Sequence, residues 1–84
     1  MKQFEYVITD PVGLHARPTG LLVKRVKELS GDFTLECKGK SADLGKLLAV
    51  MGLGVRGGDR VVVRSENATD EAMEELKRYF EENL

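Results

Sequence analysis

The sequence is short of the residues on which metal sites, disulfides and membrane segments depend. Its only cysteine, Cys37, excludes an internal disulfide and any cysteine-based metal spacing, so a buried thiol is expected. Its only histidine, His15, has no Cys or Asp cluster around it at ligand spacing, so neither a metal nor a cofactor is predicted. No apolar run approaches the roughly 18 residues that cross a bilayer. The N-terminus has no apolar signal segment, so a cytoplasmic protein that does not insert into membranes is expected.

An excess of charge of one sign is also missing. Thirteen Lys and Arg residues against 14 Asp and Glu residues leave a formal net charge of -1, which favours neither nucleic acid nor an anionic membrane as a partner. The 84 residues suffice for one domain over residues 1–84, which we expect to be a monomer. Most basic residues precede the acidic C-terminal segment, so one face of the protein can still be locally positive.

The hydrophobic patterns predict the element order β-α-β-β-α-β-α. Strands are predicted where apolar and polar residues alternate, and helices where apolar residues recur at steps of three and four. In chain order they are a strand over 4–8, a helix from about 15–17 to Gly31, a hairpin over 33–43, a short helix over 44–51, a strand over 61–63 and a helix capped by Thr69. One apolar face on each element predicts an α+β fold, with helices covering one side of an antiparallel sheet.

One glycine-rich motif does not indicate nucleotide binding. Gly52-Leu53-Gly54-Val55-Arg56-Gly57 matches G-x-G-x-x-G, but a dinucleotide site needs a strand before the glycines and a helix after them. The predicted order here is the reverse, so these residues are interpreted as turn glycines.

His15 stands in a distinctive local context, Gly13-Leu14-His15-Ala16-Arg17-Pro18. A proline is tolerated in the first turn of a helix, so Pro18 predicts that the helix begins near residues 15 to 17. His15 then lies at the positive end of the helix dipole, and that field together with Arg17 favours a neutral, nucleophilic ring. Free N–H groups and the guanidinium would stabilise an anion on the ring, above all a phosphoryl group. A lone surface histidine is more often an ordinary solvated side chain, so local physics leaves both interpretations open.

The whole chain resembles the HPr family, the histidine-containing phosphocarriers of the bacterial phosphoenolpyruvate-dependent sugar phosphotransferase system. The resemblance includes Gly13 to Pro18, Lys38-Gly39-Lys40, and Val50-Met51-Gly52-Leu53-Gly54. It implies an open-faced β-sandwich of four antiparallel strands covered on one face by three helices. It also implies that His15 accepts a phosphoryl group on Nδ1 from enzyme I and donates it to EIIA domains of sugar permeases. Arg17 would balance phosphate charge, with Ala16, Arg17 and Pro18 forming the phosphate-binding helix start.

The resemblance also implies a docking surface around the histidine. Leu47, Leu48 and Met51 of the second helix are candidate apolar contacts, although such a stripe would more often be core, and one or two of them are expected to face solvent. Positive side chains could steer acidic partners toward that surface, and the candidates are Lys24, Lys27 and Lys46.

The chain departs from many relatives at Lys46. Those relatives carry a regulatory serine at the start of the second helix, whereas here Lys46 follows Gly45 and neither residue can accept a phosphate ester. A serine-based regulatory switch is therefore predicted to be absent. Two alternatives stay open: a regulatory module that docks to a transcription factor or kinase, and a carrier for a nitrogen-related or dihydroxyacetone branch.

Overall fold

The computed structural model describes all 84 residues and has the predicted order of elements. The elements are β1 (Lys2–Val7), α1 (Ala16–Lys27), β2 (Thr34–Cys37), β3 (Lys40–Asp43), α2 (Leu47–Met51), β4 (Arg60–Ser65) and α3 (Asp70–Asn83). None of the helices is long and apolar enough to cross a membrane.

The four strands form one antiparallel sheet in the order β1-β4-β2-β3. Val63 of β4 lies at its centre, opposite Phe4 of β1 on one side and Leu35 of β2 on the other. Val61 and Val63 are fully buried, whereas the intervening Val62 is only half-buried. This alternation confirms that one face of the sheet packs against the core and the other faces water.

The core lies between the inner face of the sheet and the apolar stripes of the helices. Phe80 of α3 is fully buried and meets the rings of Phe4 and Tyr6 edge to face, with centroids 5.5 and 5.7 Å apart. The α3 helix begins as predicted, because the Thr69 hydroxyl accepts the N–H of Ala72 at 3.1 Å. Aromatic packing holds α3 against β1, and the cap fixes where α3 begins.

Two helix boundaries differ from the prediction. The α1 helix ends at Lys27, before Gly31, which adopts a φ of +114° in the following loop. The α2 helix begins at Leu47 rather than at Leu44, because the N–H of Leu44 donates to the Phe33 carbonyl at 2.9 Å and so extends the pairing of β2 with β3. Leu44 is fully buried, so its apolar character serves the core rather than a helix.

The glycine at position 20 gives a test of helix energetics. A Cβ on Gly20 would meet nothing within 4 Å, so Gly20→Ala should raise the free energy of unfolding by about 1 kcal/mol through helix propensity alone. Gly31→Ala is the contrasting variant, because its Cβ would lie 2.8 Å from Ala68 Cα at a positive φ, and it should be destabilising. Urea denaturation measures both changes, and a destabilised Gly20→Ala would show that this helix position is not free.

Candidate functional site

His15 is the N-cap residue of α1. Its φ and ψ are -86° and -177°, an extended conformation, and its side chain makes no capping hydrogen bond and is exposed. The carbonyl of His15 accepts the N–H of Thr19 at 3.0 Å, which closes the first helical turn. The predicted start of the helix is therefore confirmed, and the imidazole is accessible from solvent.

The first turn of α1 offers unpaired backbone donors beside that imidazole. The N–H groups of Ala16 and Arg17 donate to no protein acceptor, and Pro18 has no N–H. Of the predicted phosphate-binding residues, Ala16 and Arg17 thus supply donors, whereas Pro18 supplies only a backbone angle suited to the turn. Two free donors at the positive end of a helix dipole are suited to binding an anion.

Arg17 adds an exposed cation to the same turn. Its side chain is exposed and makes no hydrogen bond or ion pair with the rest of the chain. The guanidinium of a residue two positions after His15 is therefore not paired with a carboxylate and can bind an anion.

The loop that leads to His15 is held by hydrogen bonds to the segment before β4. The N–H of Ile8 donates to the Asp59 carbonyl at 3.0 Å, and the N–H of Gly58 donates back to the Ile8 carbonyl at 2.8 Å. Farther along, the N–H of Leu14 donates to the Val55 carbonyl at 3.0 Å, and Leu14 is itself buried. The residues on both sides of the loop are thus fixed before His15 emerges.

Two glycines allow this backbone contact. A Cβ on Gly13 would lie 2.3 Å from the Val55 oxygen, and a Cβ on Gly57 would lie 2.6 Å from the Asp10 oxygen. The φ of Gly13 is also +85°, which disfavours other residues. The interpretation of Gly57 as a turn glycine was therefore incomplete, because its main structural role is close approach to the His15 loop.

The end of α3 holds the same loop from a third direction. The carbonyl oxygen of Leu84 accepts the N–H groups of Thr9 and Asp10 at 2.6 and 2.9 Å, and the Leu84 side chain is buried. Sequence reasoning missed this contact because no local pattern relates residue 84 to residues 9 and 10.

Asp59 stabilises the supporting segment. Its Oδ2 accepts the N–H of Arg56 at 2.9 Å and pairs with Lys38 Nζ at 3.3 Å. The hydrogen bond from the Arg56 backbone, followed by the contact with Lys38, lowers the pKa of this carboxyl below its ordinary value although partial burial opposes the shift.

Cys37 lies apart from this chemistry. It is a free thiol, 2% exposed, as the sequence predicted, and burial raises its pKa. A buried thiol with a raised pKa is a poor nucleophile, so the structure gives it a packing role.

The predicted docking residues on α2 divide into exposed and half-buried side chains. Leu48 is 81% exposed and Leu47 is 39% exposed, whereas Met51 is only partly exposed and Val50 is fully buried. Two of the three candidates therefore face solvent, within the range expected. The predicted cationic candidates are all exposed: Lys24, Lys27 and Lys46.

Two exposed apolar side chains near the site were not among the predictions. Val12 is 62% exposed in the loop before His15, and Leu21 is 53% exposed on α1. Leu21 follows Arg17 by one helical turn and so lies on the same side of the helix. The available signal was that Leu21 falls outside the stripe defined by Leu22 and Val26, both of which are buried.

An open-faced antiparallel sheet, with an exposed histidine at a helix start that has free N–H groups, is the arrangement expected of a small phosphocarrier protein. The comparison with known proteins agrees with this class. A family model described as the HPr component phosphorylation site of the phosphotransferase system matches residues 2–82. The chain belongs to the HPr family of phosphocarrier proteins.

Individual relatives match over nearly their whole lengths. The phosphocarrier protein HPr of Mycoplasma capricolum is 32% identical over 93% of this chain and 89% of its own. The HPr of Mycoplasma genitalium is 32% identical over 99% of this chain and 97% of its own. A crystal structure of HPr from Thermoanaerobacter tengcongensis has a TM-score of 0.90 at 30% identity, covering 99% of this chain and 94% of that one. The predicted fold and family resemblance are confirmed.

Asp59 provides a pH test of the support under the site. Because its pKa is lowered by folding, Asp59 contributes stability above the ordinary value of 3.8, and this contribution is lost as pH falls through the lowered folded value. Asp59→Asn keeps the shape and removes the charge, so it should be less stable than the parent at pH 7. The difference in free energy of unfolding should shrink as the pH falls below 3.8.

Glu81→Gln is the matched control for this measurement, because Glu81 is exposed and forms no ion pair. Denaturant unfolding at several pH values should show little difference between the control and the parent at any of them. A difference for Asp59→Asn that does not vary with pH would contradict the assigned role of the Asp59 charge.

Proposed function

We propose that the chain carries a phosphoryl group on Nδ1 of His15, accepting it from phosphorylated enzyme I and donating it to EIIA domains of sugar permeases. The observation that carries this proposal is the exposed His15 ring beside the free N–H groups of Ala16 and Arg17. An imidazole reacts as a nucleophile when neutral, and the adjacent donors face the place where an anionic group would be attached.

His15 is the only group of this chain that is covalently changed during the transfer. The Nδ1 lone pair of His15 forms a bond to phosphorus while the bond between phosphorus and the donor nitrogen breaks, and the donor retains that electron pair. In the loose transition state the charge lies on the three equatorial oxygens, so catalysis consists of positioning and charge stabilisation. The amides of Ala16 and Arg17 and the Arg17 guanidinium supply that stabilisation, and the reverse sequence delivers the group to the acceptor.

The partner completes the site in this proposal. No protein group covers His15, so water must be excluded by a docked protein, as a carrier that serves several partners requires. Leu47 and Leu48 form the exposed apolar part of the docking surface on α2, and Leu21 extends it along α1. Its cationic part comprises Lys24, Lys27 and Lys46, which would attract acidic partner surfaces.

Transfer is favoured over the alternative of a purely regulatory docking module. Lys46 is the N-cap residue of α2, and residues 44–51 contain no hydroxyl side chain that could accept phosphate. Both His15 and Arg17 are present and unobstructed, which a docking function alone would not require.

The decisive experiment is incubation with enzyme I and phosphoenolpyruvate. We expect an acid-labile phosphate on the parent chain and none on His15→Ala, because the imidazole is the acceptor. Mass spectrometry of the intact protein and 31P NMR detect the adduct. Its absence from the parent, with an active enzyme I demonstrated on another carrier, would exclude the proposed function.

Two further variants separate chemistry from docking. Arg17→Glu should lower the rate of the transfer step by about 100-fold or more, because it replaces a stabilising charge by a repelling one, while leaving the folding free energy nearly unchanged. Leu48→Glu should instead raise the KM for enzyme I about tenfold, because it places a charge within the apolar contact. Val7→Glu, an exposed apolar position on the open sheet face, is the control for Leu48. Turnover by Arg17→Glu equal to that of the parent would show that Arg17 has another role.

A further inference from the structure

We propose that Arg56, in the loop before β4, is a second cation of the phosphoryl site and contacts the phosphoryl oxygens once His15 is phosphorylated. The inference rests on the proposed function for its biological meaning, but its anion-binding component is testable alone.

Backbone contacts place Arg56 close to His15. A Cβ on Gly13 would lie only 2.4 Å from Arg56 Cα, so the two main chains touch. The N–H of His15 donates back to the Gly13 carbonyl at 3.1 Å, which contracts the intervening chain into a γ-type turn. Since two extended residues span at most about 7 Å, the Cα atoms of Arg56 and His15 are separated by no more than about 11 Å. An arginine side chain can bridge much of such a gap.

The positive charge of Arg56 forms no salt bridge, although it adds to the lowering of the pKa of Asp59, which is due chiefly to the hydrogen bond from the Arg56 backbone. Its side chain is exposed, and no carboxylate lies within salt-bridge distance of it. The nearby Asp59 takes its hydrogen bond from the Arg56 backbone and its ion pair from Lys38 Nζ at 3.3 Å. The other acidic group of this region, Asp10, accepts the N–H of Val12 at 2.9 Å.

A second guanidinium is suited to the charge that the reaction creates. Phosphorylation of His15 introduces an anionic group with three strong acceptor oxygens. The two free amides of the helix start and a single guanidinium do not use all the hydrogen bonds that these oxygens can accept. Arg17 approaches from α1, whereas Arg56 belongs to the facing loop, so the two cations come from separate backbone segments. Arg56 would thereby bind the phosphoryl group and oppose the protonation that precedes cleavage of its bond to nitrogen.

The test compares Arg56→Gln with Arg60→Gln. Arg56→Gln keeps the backbone N–H that Asp59 accepts, so the support of the loop is retained. Arg60 is the matched control because it is also exposed, but it pairs with Glu5 at 3.3 Å on the open face of the sheet. Arg56→Lys keeps the charge and tests rescue. Inorganic phosphate is the first probe, and the imidazole NMR signals of the only histidine report its binding.

We expect Arg56→Gln to bind inorganic phosphate about threefold more weakly than the parent, an effect that salt should reduce. The phosphorylated form of Arg56→Gln should also hydrolyse about threefold faster, as water attacks phosphorus and the bonding electrons return to Nδ1. Arg60→Gln should match the parent in both measurements, and Arg56→Lys should recover part of each loss.

The outcomes separate this inference from the proposed function. If Arg56→Gln and Arg60→Gln behave alike in both measurements, the role of Arg56 is excluded even though His15 is phosphorylated. If enzyme I does not phosphorylate the parent, yet only Arg56→Gln loses phosphate affinity, the proposed function is wrong and Arg56 stands as an anion ligand.

Discussion

The direct contact between two stretches of backbone, residues 10–14 and 55–57, is the constraint on which the site depends. Gly13 and Gly57 leave no side chain between these stretches, so the Leu14 amide reaches the Val55 carbonyl. Leu14 is thereby buried, and the next residue, His15, is left outside as the N-cap of α1. A single added methyl group at either glycine would force these two stretches of backbone apart and move the histidine.

Main-chain hydrogen bonds give the site rigid support, whereas exposed side chains form the surface that a partner can contact. The loop before His15 is hydrogen-bonded through main-chain groups to the segment before β4 and to the end of α3. The side chains that would meet a partner, such as Arg17 and Leu48, stay exposed and uncommitted. In the proposed function the carrier presents the same atom to different proteins, so fixed placement of His15 matters more than a closed pocket.

The short α2 helix shows how a weak element can serve this purpose. Five residues are too few for a stable isolated helix, and α2 depends on the burial of Val50 and on Leu44, which precedes it and is fully buried. Anchoring on these two residues allows Leu48 to be 81% exposed without loss of the helix. An apolar side chain held in water in this way favours association with another protein.

Local sequence determined the elements and drew attention to His15 as a candidate site, because periodicity, caps and Pro18 act over a few residues. It therefore predicted the start of α1 near residues 15 to 17, the Thr69 cap and the antiparallel sheet, all confirmed by the structure. It misplaced the end of α1 and the start of α2. In α2 the reason is that the Leu44 amide donates to the carbonyl of Phe33, which is distant in sequence and lies just before β2. The support from Leu84, the contact of Gly57 with Asp10 and the nearness of Arg56 to His15 arise only in the tertiary structure, since each joins residues far apart in the chain.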